Sequence, residues 1–421
     1  MAGCLLAQPD RGRETLGLPV FFQPPGRLPS HAILRENRGS MNRRHLLHLA
    51  LLGGSSLALG PAFWRNAYAA PMKPGKSPYG GLLSTPDAQG LLLPKGFSSR
   101  IIGRTGETVP GTRYVWHPAP DGGACFPLQG GGWALVSNSE ADPGGASAVR
   151  FSANGTLQDA YRILQGTDTN CAGGPTPWGT WLSCEETGRG RVWECDPSRP
   201  SQGEARPALG AFMHEAVAVD PVGQRLYLTE DMPDGRFYRF TPAKWPSLES
   251  GTLEAAHVTG DPLTEAAVTW VKVNQDAPAS DQDNAELSSE FSGGEGCWYD
   301  SGTVYFTTKY DNRVWALTVA TGRLEILYEA ARYPHSPLSG VDNVVVSRAK
   351  ELFVCEDGGD MQVCVLTPNL GVAPFLQVTG HEGSELAGAA FSPDGRRFYF
   401  SSQRGADGRG VTYEVTGPFR R

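Results

Sequence analysis

The sequence predicts an all-β fold, and three observations carry that prediction. Helix-type periodicity is scarce along the 421 residues. Glycine (53) and proline (33) are abundant and punctuate short runs rich in Val, Tyr, Phe and Trp. The same arrangement of acidic residue, apolar run and Pro/Gly turn also returns several times along the chain. Length alone allows one large domain or several ordinary ones.

The formal net charge is −7 and Lys and Arg form no stripe, which argues against a nucleic-acid partner. Acidic residues instead gather in pairs at the ends of apolar runs, such as Glu185-Glu186, Glu230-Asp231 and Glu356-Asp357. Such pairs favour cations. For any one pair taken alone, a solvated turn is the better reading.

In chain order, residues 1–40 are rich in Pro, Gly and Arg and have no periodicity. They read as a leader outside the fold, either disordered or upstream of a true start at Met41. Arg43-Arg44 then precede a modestly apolar run from Leu49 to Phe63 and an Ala67-Tyr68-Ala69 cleavage signature. This is the pattern of a twin-arginine export signal over 41–69. The apolar run contains Gly and Ser and is short for a membrane span. The expectation is a periplasmic or secreted protein handed to the twin-arginine machinery, with no stable membrane anchor. One domain over 70–421 would remain. That export route carries folded proteins, often with a cofactor inserted, which is a first hint of metal.

Beyond the leader stand Cys125, Cys171, Cys184, Cys195, Cys297, Cys355 and Cys364. An oxidising compartment favours pairing, and an odd count leaves one over. Cys355 and Cys364 flank Gly358-Gly359-Asp360, and Cys184 and Cys195 flank Gly188-Arg189-Gly190. Each couple could bridge a hairpin. Buried free thiols are the equal alternative.

The repeat unit is an acidic residue, an apolar strand, a Pro/Gly turn and a second strand with a polar or acidic end. Its first copy runs from Asp121 to Trp133 and on to Glu140. The next opens Asn170-Cys171-Ala172-Gly173-Gly174 and runs through Trp181-Leu182-Ser183-Cys184 to Glu185-Glu186. Later copies open at Glu215, Glu295, Asp342 and Glu385. The opening positions 121, 171, 215, 295, 342 and 385 lie 43 to 50 residues apart, except for one gap of 80. That gap holds a polar segment over about 246–291, read as an insertion. Four short strands per 40–50 residues is the signature of a β-propeller, so the prediction sharpens to six blades.

In a propeller, equivalent residues of every blade converge on one channel. Asp121, Cys171, Glu215, Glu295, Asp342 and Glu385 would then ring one cavity. Carboxylates so crowded raise one another's pKa unless cations neutralise them. Oxygen ligands suit Ca2+, and a thiolate suits a transition metal.

At these residues the chain resembles the PhoX family of alkaline phosphatases. The matching pieces are the twin-arginine leader, Asn170 to Gly174 with Trp178 to Glu186, His214-Glu215-Ala216-Val217, Tyr227 to Asp231, Asp342-Asn343, Cys355-Glu356-Asp357 and Glu385-Leu386-Ala387-Gly388. The resemblance implies a six-bladed propeller holding iron as Fe3+ together with Ca2+, and hydrolysis of small phosphate esters, chiefly phosphomonoesters. It implies Cys171 as the iron ligand. Glu215, Glu295, Asp342 and Glu385 would be metal ligands, with Glu185 and Glu186 in or beside the set; Asp121 joins them from its place in the ring of repeat positions. Cys171 and Glu215 would carry catalysis, and Asn138 would contact phosphate.

Two departures stand out. The family's Asn-His-Glu is Asn138-Ser139-Glu140 here, and no arginine precedes Glu385, where the chain reads His381-Glu382-Gly383-Ser384. A phosphoryl group asks for a positive clamp, and Arg404 and Lys309 at strand ends are candidates to replace it. Two other readings use the same acidic channel. One is a calcium-dependent propeller hydrolase of lactones or sugar acids, which has no need of Cys171. The other is a non-catalytic metal-binding propeller. His214 reads as a ligand or as a core histidine. Trp133, Trp178, Trp181, Trp298 and Trp315 read as packing residues. The oligomeric expectation is a monomer.

Overall fold

The computed structural model describes residues 71–421; the leader and the export signal lie outside the described residues. Regular structure there consists of strands and five three-residue 3-10 turns. No helix among the described residues is long and apolar enough to cross a membrane.

The strands form five hydrogen-bonded sheets. The first contains Pro120–Pro127, Trp133–Ser139, Gly145–Phe151 and Leu157–Gln165, and the second Asn170–Pro175, Trp181–Glu185, Val192–Cys195 and Glu204–Ala205. A nine-stranded sheet follows. It joins a meander starting at His214–Asp220 to another starting at Gly294–Asp300. The link is a two-residue pairing of Ala266 and Ala267 with Leu324 and Arg323. The remaining sheets start at Val341–Val346 and Leu386–Phe391.

Six innermost strands therefore exist, and each packs on the next, with Leu386–Phe391 returning to Pro120–Pro127. This closed succession is the propeller-like arrangement that the repeat predicts. The N-terminal part of the described chain fastens it. Leu91 and Leu92 pair with Val378 and Gln377, and Ser98–Arg104 pairs with Val411–Thr416. Buried Glu414 draws Arg100 (2.8 Å), Arg397 (2.7 Å) and the Tyr399 hydroxyl (2.7 Å) together at this seam.

About half of the segment expected as an insertion is ordered sheet. Ser247–Asp261 is a fifteen-residue strand that pairs with Phe237–Lys244 and runs on past it. Glu265–Lys272 then doubles back along it. The polar composition that marked this segment belongs in part to an outer hairpin with one wet face.

Apolar cores fill the gaps between neighbouring sheets. Phe237 stacks on Phe306 at 4.2 Å and 11°, and Phe306 on Trp315 at 5.8 Å and 3°. Offset ring pairs of this kind add about 0.5–1.5 kcal/mol each beyond the area they bury. Trp133, Trp181 and Trp315 are buried as packing residues, while Trp178 and Trp298 are half-buried.

Candidate metal centre

Each innermost strand carries a β-bulge in which two of its residues oppose one on the second strand. The ladder skips 121–122, 171–172, 215–216, 295–296 and 342–343. A bulge bends its strand and re-aims a side chain. Here it turns Asp121, Cys171, Glu215, Glu295 and Asp342 towards one another. The second bulge residues Gly122, Ala172, Ala216, Gly296 and Asn343 line a cavity of about 20 Å³, room for about one water. Four of the five are Gly or Ala because the strands nearly touch: a Cβ on Gly122 would lie 2.4 Å from Ala172 Cα.

The sixth copy is out of register with the sequence alignment. Its bulge is at 388–389, so Gly388 and not Glu385 occupies the channel position. Gly388 has φ +68°, and a Cβ there would meet the Asp121 carbonyl at 2.7 Å, so only glycine fits. Glu385 reaches the cluster from three residues earlier. Gln403 Nε2 donates to Glu385 Oε1 (2.7 Å) and Asp121 Oδ2 (2.7 Å), and also to Glu140.

Three groups of donor atoms each fall within 4.8 Å: Asp121, Glu140 and Cys171; Cys171, Glu186 and Glu215; and Glu215, Glu295 and Asp342. Cys171 is shared by the first two groups and Glu215 by the last two, so they form a row. Cys171 Sγ lies 3.6 Å from Asp121 Oδ1. Glu140 was not singled out as a ligand in the sequence. Its position after the second strand, equivalent to Glu186, was the available sign.

Burial, followed by the neighbouring carboxylates, holds Asp121, Glu215 and Asp342 well above the usual range. Burial and then Glu385 push Glu140 up to about 7. Burial and then Glu140 and Asp231 push Glu186 up to about 8. Burial and then Asp121 and Glu215 raise the Cys171 thiol. Both Glu215 oxygens are buried with no hydrogen-bond partner. An unpaired buried carboxylate is costly, and a cation is the partner these donors fit. A thiolate beside carboxylates fits a strongly Lewis-acidic ion.

Two expected site residues serve elsewhere. Asn138 is fully buried, and its amide donates to the carbonyls of Cys171 (3.0 Å) and Ala172 (2.7 Å). Its oxygen accepts from Trp181 Nε1 and Ser183 Oγ, both at 2.9 Å. No capacity remains for phosphate. Asn138 stands opposite a bulge, as Thr229 and Thr307 do. Those residues likewise donate to the next unit's channel residue, Thr229 to the Glu295 carbonyl (2.5 Å) and Thr307 to that of Asp342 (2.6 Å).

Glu185 does not join a donor group. Its carboxylate accepts the N–H of Asp168 (3.1 Å) and of Arg191 (3.0 Å). Glu356 does the same with Ser339 (2.8 Å) and Gln362 (2.9 Å), and Glu230 takes the N–H of Arg236 (2.9 Å). In each acidic pair the first residue closes its hairpin. The second, Glu186, Asp231 or Asp357, interacts electrostatically with the channel groups.

The suggested disulfides are absent, and all seven cysteines of the described chain are free. Cys355 pairs with Val363 and Cys364 with Val354, so adjacent ladder positions set the two thiols on opposite faces. Cys184 pairs with Val192 and Cys195 with Trp181, likewise in separate cores. His214 is buried against Phe212 at 3.6 Å and, through burial, held down to about 3. It is a core histidine rather than a member of any donor group.

Both expected cations reach the centre. Lys309 Nζ meets Asp231 Oδ2 at 2.6 Å and Glu295 Oε1 at 2.7 Å. Burial would lower its pKa, but Glu295 and Asp231 hold it above the ordinary lysine value. Arg404 Nη1 meets Glu385 Oε2 at 2.7 Å, with Nη2 3.9 Å from Glu140.

The family model described as alkaline phosphatase PhoX matches residues 143–323, a stretch that includes Cys171, Glu186, Glu215 and Glu295. Among solved structures, Pseudomonas fluorescens PhoX in complex with vanadate, a transition state analogue, is similar at 16% identity and TM-score 0.64. That match covers 80% of this chain and 98% of the other. A gluconolactonase from Xanthomonas campestris is similar at 13% identity and TM-score 0.48, covering 83% and 98% of the two chains. No curated protein sequence matches. The resemblance carried by the Cys171 and Glu215 motifs is thereby shown: the chain is PhoX-like, with a nearly all-β, propeller-like fold.

Proposed function

We propose that the protein is a metal-dependent phosphoric ester hydrolase of the alkaline phosphatase kind, acting on phosphomonoesters at the mouth of a six-bladed propeller. The observation that carries the reading is Glu215, whose two buried and unpartnered oxygens adjoin Cys171 inside the segment that matches the PhoX family.

Cys171 with Asp121, Glu140, Glu186 and Glu215 would hold iron, and Glu215 with Glu295 and Asp342 would hold calcium. Such ions, when bound, polarise a phosphoryl oxygen and lower the pKa of water. The chain's own residues do the rest. The bulges fix the direction of each donor. Asn138 holds the Cys171 carbonyl, and therefore the strand that carries the thiol. Glu385 is kept in place by Gln403 and Arg404. Export through the twin-arginine route belongs to the same reading. Arg43→Lys with Arg44→Lys should trap the precursor in the cytoplasm, and unchanged periplasmic accumulation refutes that part.

The test of function is Cys171→Ala, with iron content and phosphomonoesterase activity measured together. Both should be lost while the strand spectrum is kept, and Cys171→Ser should rescue neither. Wild-type protein that contains iron but cleaves no phosphate ester overturns the phosphatase reading. The all-oxygen group Glu215, Glu295 and Asp342 supports a second reading, a calcium-dependent hydrolase of lactones or sugar acids. That reading gains if the wild type carries calcium and no iron.

A further inference from the structure

The row of donor groups ends at a cation on either side. Arg404 touches Glu140, a member of the first group, and Lys309 touches Glu295, a member of the third. They arrive from different units, Lys309 just after Thr303–Thr308 and Arg404 just after Arg397–Ser402. Asp357, after Leu352–Glu356, belongs to the unit between them. The two cations thus bracket the row, Arg404 through Glu140 and Glu385 and Lys309 through Glu295 and Asp231.

Neither cation is used up. Arg404 is about half exposed at 48%, and its side chain makes one hydrogen bond, to Glu385. A guanidinium has five N–H donors in a planar fork. Lys309 is 24% exposed, with three donors and two ion-paired partners. The other arginine of the same loop, Arg409, is held outward by Asp407 at 2.6 Å and Glu107 at 3.3 Å.

We propose that Arg404 and Lys309 form the two-sided clamp for the phosphoryl group of the substrate, seated over the row of donor groups. The inference rests on the phosphoryl-transfer reading. It assigns to these two residues what no arginine before Glu385 supplies. A tetrahedral phosphoryl group offers several oxygens at once. The Arg404 fork can take two of them, and Lys309 can meet another from the opposite side. The carboxylates between the cations repel any anion, phosphate included, until the ions of the centre neutralise them, so binding requires the metal-loaded protein.

The test measures binding of vanadate and of inorganic phosphate to the metal-loaded, full-length protein by calorimetry, with metal content determined for every variant. Arg404→Gln should weaken binding on the order of tenfold or more, as loss of a charge-assisted hydrogen bond does. Arg404→Lys should recover part of it. Lys309→Gln should weaken binding similarly, and Arg409→Gln should leave it unchanged. Unchanged affinity in both Arg404→Gln and Lys309→Gln overturns the clamp. Equal weakening in Arg409→Gln also overturns it, because general charge would then be the cause. If Arg404→Gln loses metal, Arg404 acts through Glu385 and the clamp is again overturned. A wild type that binds metal but neither anion overturns the phosphoryl reading itself.

Discussion

The amide of Asn138 holds the carbonyl of Cys171 at 3.0 Å, across the seam between the first and second sheets. With the Ala172 carbonyl, Trp181 and Ser183, it completes four hydrogen bonds around a fully buried side chain. Asn138→Ala leaves those groups buried and unpaired, which should cost about 2–4 kcal/mol. Both the melting temperature and metal retention should fall. Asn138→Ala with normal stability and metal content, but weaker phosphate binding, would restore the direct-contact role that the sequence suggested.

Chelation should make stability depend on pH in a defined direction. Burial and neighbouring carboxylates push Glu140 to about 7 and Glu186 to about 8, from an ordinary 4.5. The folded state then binds these protons more tightly than the unfolded chain does. The stabilisation is full below about pH 4.5 and is lost as pH rises through about 7 to 8. In chelator the melting temperature should drop between about pH 5 and pH 8.5. Added Ca2+ should raise it most at the upper end, where the cation displaces no proton. A chelated protein that melts at the same temperature across that range contradicts the crowding of the carboxylates.

Reducing agent should leave the melting temperature unchanged. After denaturation, a chain beginning at Pro71 should titrate seven thiols. Fewer would mean a disulfide forms, and the ladder register of Cys355 against Val363 would have to be different.

The repeat made most of the fold legible. Apolar runs between turn signals, each opened by an acidic residue or Cys171, gave all six innermost strands, because strands buried on both faces read as continuous apolar runs. What the repeat could not show was the bulge, since one extra residue leaves no mark in an apolar run. That is why Glu385 looked like the sixth channel residue when Gly388 holds the place. It is also why Asn138 looked available. Its kinship with Thr229 and Thr307 appears only once each is seen opposite a bulge. The Glu185 and Glu186 roles were hidden for a simpler reason: two adjacent carboxylates look alike in sequence, yet Glu185 ends its strand and closes the hairpin while Glu186 lies just beyond the strand end.

That last relationship gives the sharpest prediction. Glu185 satisfies the N–H groups of Asp168 and Arg191, so Glu185→Ala should destabilise the protein by about 1–3 kcal/mol. Metal should still bind, because Glu185 belongs to no donor group. Glu186→Gln should do the reverse. It removes a charge that burial, Glu140 and Asp231 disfavour, so in chelator the variant should melt no lower than wild type, and higher above about pH 8. It also takes a ligand from the group with Cys171 and Glu215, so metal content should fall. Thermal melts with and without chelator, beside elemental analysis of both variants, separate the two effects. If Glu185→Ala loses metal as readily as Glu186→Gln, the division of labour within the pair is wrong, and Glu185 returns to the ligand set that the resemblance implied.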